Sequence, residues 1–94
     1  MTKQEHIDQA VASMFEVPSS TRVKGWGFKF MDEHYLVICY WMQSMGDCIA
    51  VLPANKKGKK TSDNMIVDKS FCKDPIKGIE ALADLLCKED GENC

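Results

Sequence analysis

The chain has 94 residues, 45% hydrophobic and 28% charged, with a formal net charge of −2 at pH 7. That length and balance exclude two independent domains and wholesale disorder. A slightly acidic chain has no general attraction for polyanions, so nucleic acid or anionic lipid would have to meet a local cluster.

Thr2 and Glu5 stand at capping-box spacing, which predicts a helix start. Ile7, Ala10, Val11, Met14 and Phe15 then recur at helical period as one apolar stripe. Val17-Pro18-Ser19-Ser20 ends it, because a residue before proline avoids the helical region. Thr21 to Met31 reads as a strand with Trp26, Phe28 and Phe30 on one face and Gly25, Gly27 and Lys29 on the other. Bare glycine backbone on both sides of a tryptophan invites a bulge, a bend or a closely approaching neighbour. Asp32-Glu33 supplies a turn, and Tyr35 to Met42 forms the second arm of an antiparallel hairpin. Gln43 to Asp47 is a second turn, and Cys48 to Leu52 is a third strand ended by Pro53. Asn55 to Lys60 reads as a mobile polar loop, and Met65 to Val67 as a short fourth strand. Asp74-Pro75 is a helix start, an N-cap side chain followed by proline at the first helical position. Ile76, Ile79, Leu82, Ala83 and Leu86 give its buried stripe, with Lys88 at the negative end of the dipole and Gly91 as terminator.

The predicted order is α-β-β-β-(β)-α. The fold class is α+β: a two-layer sandwich whose three- to four-stranded antiparallel meander is flanked by N- and C-terminal helices. Residues 1–94 form a single domain, with the acidic tail 89–94 mobile. This succession resembles that of the double-stranded RNA-binding domain, which has it in a shorter chain. The likeness is one of topology. That family carries a basic cluster at the start of its second helix, where this chain reads Lys73-Asp74-Pro75-Ile76-Lys77.

Tyr35 to Met42 contains no charge and no alternation of apolar with polar, so both its faces need cover. With both helices on one face, either Tyr35, Val37, Cys39 and Trp41 or Leu36, Ile38, Tyr40 and Met42 face away. Left bare, such a set is an apolar patch of interaction size. One helix on each face would bury both sets.

The chain contains no Gly-x-Ser-x-Gly, no phosphate loop and no Gly-x-Gly-x-x-Gly. No catalytic residue and no cofactor is assigned, and enzyme activity is not expected. Two histidines and five cysteines without a Cys-x-x-Cys pair give no metal-ligand spacing, so no metal is assigned. An odd cysteine count without a sign of secretion reads as reduced thiols, with Cys39 and Cys48 as small core residues. Cys72 is the thiol nearest a helix N-terminus and the one candidate for reactivity. Asp32, Glu33, His34 and Tyr35 are adjacent, but strand neighbours point in opposite directions, so this run reads as a solvated turn.

The resulting expectation is a small cytoplasmic, non-enzymatic protein-binding module. It would be an inhibitor or adaptor of the kind that phages and mobile elements encode, acting through an aromatic sheet face. Trp26, Tyr35 and Trp41 are its protein-binding candidates, since tryptophan and tyrosine are common interface anchors. A protein partner or a homodimer would satisfy the same surface. The alternative is a nucleic-acid-binding protein using Lys56, Lys57, Lys59 and Lys60, supported by Arg22, Lys24 and Lys29. The polar N-terminus and the lack of any run near the ~20 apolar residues of a membrane span argue against a signal peptide and a membrane location.

Overall fold

A computed structural model describes residues 2–18 and 22–87. The order is α1 (Lys3–Ser13), β1 (Phe15–Val17), β2 (Lys24–Phe30), β3 (Glu33–Met42), β4 (Gly46–Pro53), β5 (Val67–Ser70) and α2 (Pro75–Leu86). The strands form one antiparallel meander in the order β1-β2-β3-β4-β5, and both helices pack on the same face. The two-layer α+β sandwich is therefore as the sequence predicts, with a sheet of five strands instead of three or four.

The extra strand is β1, and it corrects the helical stripe drawn through Phe15. At Ser13 the side-chain hydroxyl donates to the Ala10 carbonyl and accepts from the Lys29 amide at 2.9 Å, which closes the helix and ties its end to β2. Phe15 and Val17 then pair with Gly27 and Gly25. The ring of Phe15 lies where a Cβ on Gly27 would be. The glycines flanking Trp26 thus receive a closely approaching neighbour, and an aromatic ring fills the gap that glycine leaves in a sheet.

The β2–β3 turn is Met31-Asp32, both with positive φ (51° and 66°), the two-residue hairpin geometry that matches strand twist. Sequence reasoning places the turn one residue later because Met31 is a poor left-handed residue. Moving a two-residue turn by one position shifts cross-strand partners by two, so the faces are unchanged. Phe28 meets Tyr35 and Trp26 meets Val37. β5 begins at Val67, where the sequence expectation ends, and the Ile66 amide just before it donates to the carbonyl of Val51, the residue paired with Val67. The loop before it carries hydrogen bonds of its own: Asn55 Oδ1 accepts from the amides of Lys57 and Lys59, and Ala54 bridges Lys60.

The helix-bearing face holds the core, with Ile7 and Ala10 of α1 and Ile79, Leu82 and Ala83 of α2 packed on Phe28, Phe30, Val37, Val51 and Val67. Full burial of a residue such as Ile79 or Leu82 contributes about 1.5–3 kcal/mol. The capping box of Thr2 with Glu5 and the Asp74 cap with Pro75 are both present. Ile76 and Leu86 prove exposed at 38% and 44%, so the buried stripe of α2 is narrower than its sequence suggests. Lys88, Gly91, Cys94 and the acidic tail lie outside the described residues.

The set that faces away from the helices is Leu36, Ile38, Tyr40 and Met42, and it is not bare. Leu36, Cys48, Ala50 and Leu52 are buried there. The 54–60 loop folds over β1, where a Cβ on Gly58 would collide with the side chains of Val17 and Phe15. Tyr40 reaches from β3 past Cys48 and Ala50 to Asp68 on β5.

Candidate functional site: the β3–β4 hairpin end

The β3–β4 hairpin closes through Gly46, whose φ is +63°. Its final pairs are Trp41 with Asp47 and Met42 with Gly46. The segment leaving β5 is laced onto this end by two backbone bonds: the Phe71 amide donates to the Met45 carbonyl (3.3 Å) and the Cys72 amide to the Asp47 carbonyl (2.8 Å). They hold Phe71 at a φ of +57°, a left-handed conformation that a bulky residue rarely adopts and that costs on the order of 1–3 kcal/mol. Despite that, Phe71 is 79% exposed, and Trp41 is 63% exposed on the other face of the same hairpin end.

Beside Trp41 a cleft of about 330 Å³ opens between β2, β3 and the start of α2. Trp26 and Trp41 line it together with Arg22, Lys24, Lys73 and Asp47. Three cations against one carboxylate give the cleft a local positive charge that the net charge of the chain conceals. Cys39 also lines it and donates its thiol to the Lys73 carbonyl at 3.4 Å. Burial pushes the Cys39 thiol pKa up, and the neighbouring Cys72, Asp74 and Asp47 push the same way, surroundings that disfavour the thiolate.

The residues predicted for protein binding are divided by this geometry. Trp26, Tyr35 and Trp41 all lie on the helix-bearing face, and Trp26 and Trp41 share the cleft. Tyr35 is remote from it, half-buried against the core and stacked on Phe28 with centroids 5.7 Å apart. The cations assigned to nucleic-acid binding are divided too. Arg22 and Lys24 are in the cleft, whereas Lys29 pairs with Asp32 at 3.6 Å near the far end of β2. Lys56, Lys57, Lys59 and Lys60 are exposed on the loop that covers the helix-free face, with Lys60 paired to Asp63. Cys72 is half-buried just before the α2 cap, with its sulfur 4.0 Å from the Asp74 carbonyl oxygen.

Lys73 and Phe71 escaped sequence reasoning. Asp47 was readable in principle, since a three-residue turn at 43–45 places it opposite Trp41. Nothing local announces that the β5–α2 connection returns to the same hairpin end. Among the described residues no group of three or more His, Cys, Asp or Glu could hold a metal ion, and no helix is long and apolar enough to cross a membrane. No protein-family model matches this chain, and no curated protein or solved structure is similar to it at a significant level.

Proposed function

We propose that this chain is a non-enzymatic binding module that acts by occupying a partner protein, as inhibitors and adaptors do. Its contact is the β3–β4 hairpin end, with Trp41 as anchor, Phe71 at the same end on the opposite face, and Arg22, Lys24 and Lys73 receiving acidic groups of the partner. One observation carries this reading: two large aromatic side chains, Trp41 and Phe71, stand mostly in water at the same end of a sheet whose core does not need them. Tryptophan supplies large contact area at small entropic cost, and such residues dominate interface energies, with truncations often costing about 2 kcal/mol or more.

The test is capture from an extract of the native host with immobilised wild-type protein, Trp41→Ala and the charge-reversed pair Lys24→Glu/Lys73→Glu. A protein held by the wild type should be released from both variants while their thermal midpoints stay close to it. Identical retention by all three removes the hairpin end as the contact. Sedimentation of the purified chain identifies the case in which the partner is a second copy.

The same cleft favours a second reading, a single-stranded nucleic acid stacked on Trp41 with its phosphates on Arg22, Lys24 and Lys73. It ranks below the first because the lysine block lies on the opposite face of the sheet, so the two basic regions do not form one track. Binding of a short fluorescent oligonucleotide that weakens steeply with salt and is lost in Trp41→Ala would reverse the ranking.

A further inference from the structure

The helix-free face carries a second concavity, unrelated to the hairpin end. It is a groove of about 550 Å³, within the roughly 300–1,000 Å³ typical of small-molecule sites. Its apolar lining is aliphatic: Val17, Pro18, Val23, Leu36 and Ile38. Gly25 keeps the middle open, since a Cβ there would sit 3.0 Å from Val17 Cγ2 and 3.3 Å from Leu36 Cδ1. The remaining wall is the 54–60 loop, which contributes Lys57, Gly58, Lys59 and Lys60.

The loop is pinned in place by its backbone, leaving its lysine side chains available. Asn55 Oδ1 takes the amides of Lys57 and Lys59 at 2.9 and 3.1 Å, and the Gly58 amide donates to the Asn55 carbonyl at 2.9 Å. Buried Gly58 seats the loop on Val17 and Phe15. Lys60 is paired with Asp63, whereas Lys57 and Lys59 have no ion-pair partner among the described residues. Among the described residues no acidic side chain lines the groove. Branched aliphatic side chains edged by ammonium groups on one side form a surface with two distinct ends, one for hydrocarbon and one for an anion.

We propose that this groove binds a single-chain amphipathic anion, a fatty carboxylate whose alkyl chain lies along Val23, Leu36 and Ile38 and whose carboxylate meets Lys57 and Lys59. A nucleotide fits less well, because among the described residues no aromatic side chain lines the groove to stack a base and no arginine lines it to grip a phosphate bidentately. The lysine block then has a role that neither polynucleotide binding nor solubility assigns to it.

The probe is sodium laurate, added below its micellar concentration to protein labelled at valine, leucine and isoleucine methyls and followed by NMR. Laurate should shift the methyls of Val17, Val23, Leu36 and Ile38. Decanoate and octanoate should bind progressively more weakly, by about two- to fourfold per methylene removed. Lys57→Gln/Lys59→Gln should weaken laurate at least tenfold while preserving methyl dispersion, because the loop's own bonds use backbone amides. Four results each overturn the proposal: equal binding of uncharged dodecanol, equal binding of acetate, shifts confined to other methyls, or binding only to vesicles containing anionic phospholipid. Ile38→Glu, which puts a negative charge among the aliphatic side chains, should abolish the laurate shifts; undiminished shifts in that variant count against the site.

Discussion

Tyr40 donates its hydroxyl to Asp68 Oδ1 at 2.9 Å across the helix-free face of the sheet. The phenol must be protonated to donate, and its burial, followed by the bond to Asp68 and the charge of that carboxylate, pushes its pKa from 10.0 up to about 12. Between those values the folded protein keeps a proton that the unfolded chain releases. Stability is therefore intact below about pH 10 and falls as pH rises toward 12. Urea midpoints across this window should decline in the wild type and decline less in Tyr40→Phe. Some slope should remain, since Tyr35 and Cys39 are also shifted upward, chiefly by burial. Parallel profiles for the two proteins would show that the Tyr40–Asp68 bond has no part in alkaline sensitivity.

Gly78 opposes two principles of helix stability. An alanine in mid-helix improves propensity by about 1 kcal/mol over glycine. Yet a Cβ here would stand 2.9 Å from Val37 Cγ2 and 3.3 Å from both Ile49 Cδ1 and Val51 Cγ2. Two of these neighbours are β-branched valines fixed in the sheet, with little freedom to turn aside. Overpacking of a filled core costs roughly 1–3 kcal/mol, which exceeds the propensity gain. Gly78→Ala should lower the unfolding free energy by about 1 kcal/mol, and a stabilised variant would mean that α2 can ride outward on the sheet.

At the start of α2, Asp74 Oδ1 accepts the Ile76 amide at 3.0 Å, with Pro75 at the first helical position. Asp74→Ala should cost about 1 kcal/mol, and Asp74→Ser should restore most of it, because either oxygen satisfies the orphan donor. Equal loss in both variants would assign the effect to the charge of Asp74 instead of its cap.

Elements with local signals were legible in the chain. Thr2 with Glu5 and Asp74 with Pro75 announced both helices, and the uncharged run ending at Met42 announced the central strand. β1 was not legible because Phe15 continues the spacing of Ile7, Ala10 and Val11. Only the distant bond from the Lys29 amide to Ser13 breaks that series. The candidate site was half legible: Trp41 was recognisable as an anchor, but Lys73, which shares its cleft, and Phe71, which shares its hairpin end, arrive from the β5–α2 connection. Non-local backbone pairing of that kind leaves no trace in spacing. The reading of the second sheet face failed for a related reason. A loop rich in lysine looks like a solvated segment, and the residue that seats it on β1 is a glycine.

That glycine can be tested against another in the same backbone region. Gly46 and Gly58 have φ of +63° and +83°, where any L residue pays a conformational penalty of roughly 1 kcal/mol. Their surroundings differ. A Cβ on Gly46 would make ordinary contact with Phe71 Cδ1 at 3.7 Å, and that ring is exposed and can move. A Cβ on Gly58 would collide with Val17 Cγ1 and crowd Phe15 Cε2 at 3.1 Å, so the loop must lift from β1 or β1 must yield. Gly46→Ala should therefore cost about 1 kcal/mol, while Gly58→Ala should cost about 1–3 kcal/mol beyond that. Amide hydrogen exchange gives the local readout. Gly58→Ala should accelerate exchange at the Lys57 and Lys59 amides, whereas Gly46→Ala should leave them protected. Equal destabilisation with both amides still protected would mean that the loop is not seated through Gly58.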